Sequence, residues 1–205
     1  MSRLIELVKS GASIEAVKAD LWDNRGVDGY VNIRRRPHGM TALMCAAKNG
    51  DSHMVELLLK EGVDVNAQNN YGNSALILAV SLANYEVVTK LIEAGADINV
   101  RDNQGCTPLM IACTNINPRL VGVCLEAGAV MDYQNDKGET ALSIATRNES
   151  EYSTDYLLQI NDISRGKFSI QVVGMLKQHS PKVLTNCENY AVINGKRYLL
   201  VESPL

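Results

Sequence analysis

Between Gly39 and Lys137 the apolar and polar positions follow one scheme, written three times and begun a fourth time. Each copy passes a hydroxyl-bearing residue (Thr41, Ser74, Thr107, Thr140) and enters a short run rich in small and apolar side chains, such as Leu43-Met44-Cys45-Ala46-Ala47. The hydroxyl reads as a helix N-cap that accepts a first-turn N–H, and the small residues let a neighbouring helix come close. A second run, such as Met54-Val55-Glu56-Leu57-Leu58-Leu59, carries the broad apolar stripe of a half-buried helix. It ends at Gly62, where a left-handed C-cap is expected. A polar stretch then leads to the next copy and reads as a projecting turn or finger.

The period is fixed by subtraction. Gly39, Gly72, Gly105 and Gly138 are spaced 33 residues apart, and Gly62, Gly95 and Gly128 keep the same step. One helix pair cannot bury both of its faces, so stability must come from stacking about three or more units. Thr107-Pro108-Leu109-Met110-Ile111-Ala112, and more loosely Thr41-Ala42-Leu43-Met44-Cys45-Ala46 and Thr140-Ala141-Leu142-Ser143-Ile144-Ala145, match a Thr-Pro-Leu-His-x-Ala signature. On these residues the chain resembles the ankyrin-repeat family. The fold implied is an all-α dominated solenoid of helix-turn-helix units with β-turn fingers, carrying a small C-terminal extension with a β-hairpin.

The expected organisation is a degenerate N-terminal capping repeat (1–38), three repeats (39–71, 72–104, 105–137), a truncated repeat (138–160) and a C-terminal cap (161–205). Residues 2–10 and 13–22 read as two short amphipathic helices divided by Gly11. The segment Asp23 to His38 reads as a long solvated finger whose Arg34-Arg35-Arg36 run could also contact an acidic ligand. The repeat at Gly72 lacks the usual inter-helix glycine, and the one at Gly105 places Pro118 where a first helical turn tolerates it. In the tail, Phe168, Val172, Met175 and Leu176 fit a helix, although Phe168, Ile170 and Val172 also alternate as a strand would, and residues 189–193 and 196–201 flank Asn194-Gly195 as a type I′ hairpin would.

Formal charge is −3 and pI about 5.6, which gives no general case for nucleic-acid binding. Residues 39–138 hold 6 basic against 11 acidic side chains, whereas residues 161–205 hold 6 against 3. Five cysteines are an odd number, and Cys45, Cys106, Cys113 and Cys124 lie in or beside apolar runs, as reduced core residues do. Glu6 interrupts the start where a secretory signal would be apolar, and no run of uncharged apolar residues is long enough to span a bilayer. An intracellular, cytoplasmic protein is expected; a bacterial protein delivered into a host cell would share these features.

No phosphate loop, serine elbow or paired zinc spacing occurs, so no cofactor, metal or catalytic residue is assigned. The best catalytic arrangement would be Cys187 with His179 and Asn186 or Asn189, the chemistry of a host-directed effector. A non-enzymatic scaffold or adaptor is the favoured reading. It would be a monomer on its own that binds a protein partner and neither nucleic acid nor membrane.

Contact positions follow from the resemblance by repeat phase. They are Met40, Lys48, Asn49 and Gln68; Asn70, Tyr71, Asn73, Ser81, Leu82 and Arg101; and Asn103, Gln104, Cys106, Thr114 and Asn115, with Gln134, Asp136 and Lys137 beyond. Tyr71, Leu82 and Arg101 stand out as anchors, and replacing Tyr71 and Arg101 is expected to spare stability. The resemblance also marks Asn66 and Asn99 as finger asparagines open to hydroxylation, against a turn-stabilising role. It assigns His53 a structural place at a helix start.

Overall fold

The computed structural model describes residues 3–27 and 29–147, together with the backbone of β1 (Tyr190–Ile193) and β2 (Lys196–Leu199). Helices α1 (Arg3–Lys9) and α2 (Ile14–Asp23) come first, close to the segments read from sequence. Three helix pairs follow: α3 (Ala42–Asn49) with α4 (Ser52–Lys60), α5 (Ala75–Ser81) with α6 (Tyr85–Glu93), and α7 (Pro108–Thr114) with α8 (Pro118–Glu126). Then comes α9 (Ala141–Arg147).

Two rows result. The inner row stacks α1, α3, α5, α7 and α9 in that order, and in the outer row α4 packs on α2 and on α6. The inner row stacks closely because Ala42 to Ala47 in α3, Ala75, Ala79 and Val80 in α5, and Ala112 and Cys113 in α7 are all buried. In the outer helices the buried side chains recur in phase: Met54, Val55 and Leu58, then Val87, Val88 and Leu91, then Leu120, Val121 and Cys124, each at most 1% exposed. That spacing puts all three on one helical face, and each such side chain contributes about 1.5–3 kcal/mol on burial.

The inner caps form as read. Thr41, Ser74, Thr107 and Thr140 accept the N–H of Met44, Ile77, Met110 and Ser143 at 3.2 to 3.3 Å. Asp51 caps α4 by accepting the Met54 N–H at 2.9 Å, and His53 lies in the first turn of that helix, where its side chain is exposed. Asn117 caps α8 and sets Pro118 at its first position. Glu56 joins neighbouring outer helices by bonding Lys60 within α4 and Lys90 of α6 at 2.7 and 2.9 Å. Those two bonds hold its carboxyl down at about 2.

The turn between the helices of each pair closes identically. Gly50 N–H bonds Ala47 O and Asp51 N–H bonds Ala46 O, with Gly50 at φ 71°. One and two repeats on, the same pair of bonds forms around Ala83 (φ 56°) and Ile116 (φ 51°). Stacking thus forces a left-handed backbone on two residues with a Cβ, at a cost of about 1–2 kcal/mol each.

β1 and β2 pair antiparallel, with Tyr190 opposite Leu199 and Ile193 opposite Lys196. The Asn194-Gly195 turn, the tail helix expected from Phe168 onward and the truncated repeat beyond Arg147 lie outside the described residues.

Ile116→Gly should raise stability by about 0.5–1 kcal/mol, the relief of the left-handed strain less the entropy that glycine adds to the unfolded chain. Gly72→Ala should do the opposite, because Gly72 holds φ 77° and a Cβ there would meet the Asn103 backbone N at 2.5 Å. Urea midpoints of the two variants check this; a lower midpoint for Ile116→Gly contradicts it.

Candidate protein-binding face

Each finger is a turn held by one side chain near its base. Asn69 Oδ1 accepts the N–H groups of Tyr71 and Asn73 at 2.9 and 3.0 Å. Asp102 Oδ1 takes those of Gln104 and Cys106 at 2.9 and 2.8 Å, and Asn135 Oδ1 takes those of Lys137 and Glu139, both at 3.0 Å. The backbone closes the same loop, Asn69 N–H to Asn73 O, Asp102 N–H to Cys106 O and Asn135 N–H to Glu139 O, each at 3.0 Å. These three residues are absent from the contact positions read by repeat phase. Their signal was present as an Asn or Asp three residues before Gly72, Gly105 and Gly138.

The finger tips are joined to one another. Asn70 N–H donates to His38 O, Asn103 N–H to Tyr71 O and Asp136 N–H to Gln104 O, at 2.9 to 3.0 Å. Side chains repeat the step. Asn70 Nδ2 reaches Pro37 O at 2.6 Å and Asn103 Nδ2 reaches Asn70 O at 2.9 Å. Gln68 Nε2 bonds Gly72 O in its own finger and Arg101 O in the next, at 2.6 and 2.8 Å. Arg101, one period later, does likewise: Nε bonds Gly105 O at 3.2 Å and Nη2 bonds Gln134 O at 2.8 Å.

The finger asparagines are engaged at both ends of their amides. Asn66 Oδ1 accepts the Asp97 N–H at 2.8 Å while Nδ2 points to Gly95 O at 3.4 Å. Asn99 repeats this with Val130 N–H and Gly128 O. Asn49 and Asn115 also bridge, Asn49 Nδ2 to Val8 O at 2.9 Å and Asn115 Nδ2 to Ser81 O at 3.0 Å.

The contact positions therefore separate by what their side chains do. Gln68, Asn70, Arg101, Asn103, Asn49 and Asn115 hold repeats together while remaining at least partly exposed. Met40, Asn73 and Cys106 share one phase at the finger exits and are half-buried; Lys48, Ser81 and Thr114 share another at the ends of the inner helices and are exposed. Gln104 is exposed in the second finger, and Gln134, Asp136 and Lys137 are exposed in the third. Large apolar side chains left to solvent on this side include Tyr71, 54% exposed, and Leu82, 48% exposed, with Ile116 of the next inter-helix turn and Tyr133 of the third finger exposed as well. The Tyr71 hydroxyl lies 2.9 Å from His38 Nδ1, with the rings stacked at 5.6 Å between centroids. That contact fixes the ring without covering it.

Burial pushes the Cys113 and Cys124 thiols up to about 12 and raises those of Cys45 and Cys106, so none of these four is an activated nucleophile. No cluster of metal-ligating side chains occurs among the described residues. Cys187, His179, Asn186 and Asn189 lie outside them.

Two family models match the chain. One, described as ankyrin repeats in three copies, covers residues 4–102; another, described as ankyrin repeats in many copies, covers residues 84–145. No curated protein matches it.

Because the Arg101 guanidinium bridges two fingers, Arg101→Ala should destabilise the protein by about 1 kcal/mol, contrary to the expectation that its removal spares stability. A chemical-denaturation midpoint equal to that of the wild type would show the bridge to be idle.

Proposed function

The chain belongs to the ankyrin-repeat family, whose repeats are generally protein–protein interaction modules, and on that premise we propose a non-enzymatic scaffold or adaptor that binds a protein partner. The partner lies along the finger tips and the exposed ends of the inner helices, with Tyr71 and Leu82 as apolar anchors. The observation that carries this reading is the pairing of a tied finger row with two exposed large apolar side chains. Side chains already fixed by intramolecular bonds lose little entropy on binding, and tyrosine is enriched among binding anchors.

Within this reading Lys48, Ser81, Thr114, Gln104 and Lys137 form a polar rim, and Asn66 and Asn99 brace the fingers. Hydroxylation of either asparagine would require the amide bonds across the repeats to open first. No described helix is long and apolar enough to cross a membrane. The extension that carries β1 and β2 is assigned the role of a C-terminal cap, since a repeat array needs a polar end.

The test is affinity capture with the full chain and with a Tyr71→Ala/Leu82→Ser variant, read by quantitative mass spectrometry. Loss of two binding anchors should weaken capture of wild-type partners about thirtyfold or more, with the melting temperature nearly unchanged because both side chains are exposed. Undiminished capture of the same proteins would place the contact elsewhere.

A further inference from the structure

The long finger between α2 and α3, together with Asp20 of α2 and the start of α1, lines an open cleft of about 810 Å³. Four arginines, Arg3, Arg34, Arg35 and Arg36, line it together with Asp20 and Tyr30. Asp20 is 1% exposed and anchors the wall: Oδ2 takes the Tyr30 hydroxyl at 2.6 Å, and Arg3 Nε stands 3.5 Å from Oδ1, which has no hydrogen bond. Arg35 is compensated by Glu6 at 2.6 Å and is held in place by its backbone bridge to Met40. Arg34 and Arg36 are exposed and have no acidic partner among the described residues.

The cleft thus holds two spent arginines and two unspent ones. Like charges on one cleft wall repel one another, and the fold offsets part of that repulsion by placing Asp20 beside Arg3 and Glu6 beside Arg35. A planar guanidinium presents paired N–H donors that match a carboxylate.

We propose that this cleft binds an acidic peptide segment of a protein partner, with Arg34 and Arg36 taking its carboxylates. The proposal rests on the reading that the partner is a protein, but it uses residues other than Tyr71 and Leu82. A peptide fits better than a nucleic acid for two reasons. Single strands are held by aromatic faces as well as charge, yet Tyr30 is half-buried with its hydroxyl tied to Asp20, and Arg25 already covers the Trp22 ring at 3.6 Å. The repeats beyond the cleft carry 11 acidic against 6 basic side chains over residues 39–138, which repels a long polyanion and tolerates a short acidic segment.

Fluorescence polarisation with the full chain tests this, using a short labelled peptide alternating glutamate and alanine. Matched peptides with glutamine or lysine in place of glutamate, and a single-stranded oligodeoxynucleotide, complete the set. The glutamate peptide should bind, the glutamine and lysine peptides should not, and added salt should weaken binding. Arg34→Gln/Arg36→Gln should lower affinity for the glutamate peptide about tenfold or more, the loss expected for bonds to charged groups, at an unchanged melting temperature. Should that variant fail to fold, the glutamate and lysine peptides on the wild-type protein decide the matter. No binding of the glutamate peptide, equal binding by the folded variant, or tighter binding of the oligodeoxynucleotide would each overturn the proposal. Tyr71→Ala/Leu82→Ser capture reads the finger face separately, so a silent cleft beside a sensitive finger face would end this inference and leave the other standing.

Discussion

Among the described residues, the finger tips at Asn70, Asn103 and Asp136 each spend a backbone N–H on the finger before them. Asn70 donates to His38, Asn103 to Tyr71 and Asp136 to Gln104, and each of the last two donors sits 33 residues after its counterpart. A polar backbone loop on the surface would ordinarily bond to water. Here its donors are claimed by the neighbouring repeat, and that bond fixes the distance and register at which repeats stack. At that spacing the inner helices bury small side chains such as Ala46, Ala79 and Ala112 beside large ones such as Leu43, Leu76 and Leu109. The shared phase of the buried outer-helix residues follows from the same register.

The same constraint explains where the chain is strained and where it is crowded. Ala83 and Ile116 adopt a glycine-like backbone because the turn between their helices must match that at Gly50. Gly72 must be glycine because the Asn103 backbone comes within 2.5 Å of the place its Cβ would occupy. A rigid finger row also suits binding, since side chains displayed on it need little further ordering when a partner arrives.

Much of this was legible in the sequence. The 33-residue glycine step, the hydroxyl caps at Thr41, Ser74, Thr107 and Thr140, and Pro118 at a helix start all follow from local chemistry, and local chemistry is what a sequence displays. The double role of Arg101 was not legible, because its acceptors are carbonyls of Gly105 and Gln134 whose approach depends on stacking. The turn asparagine Asn69 and its counterparts Asp102 and Asn135 were readable but overshadowed by their more exposed neighbours. Of the arginine cleft the sequence displayed only the Arg34-Arg35-Arg36 run as a candidate contact for an acidic ligand, and not its meeting with Arg3, Asp20 and Tyr30. Arg3 and Arg34 are far apart in the chain and belong to a segment that departs from the repeat, so no period places them together.

Native-state hydrogen exchange on the full chain tests the central claim most directly, that bonds between finger tips organise the stack. The amides of Asn70, Asn103 and Asp136 lie in exposed turns, yet the account predicts that they exchange as slowly as amides of the inner helices and open together with them. Exchange of all three at the rate of an unstructured peptide, while the inner helices stay protected, would contradict it.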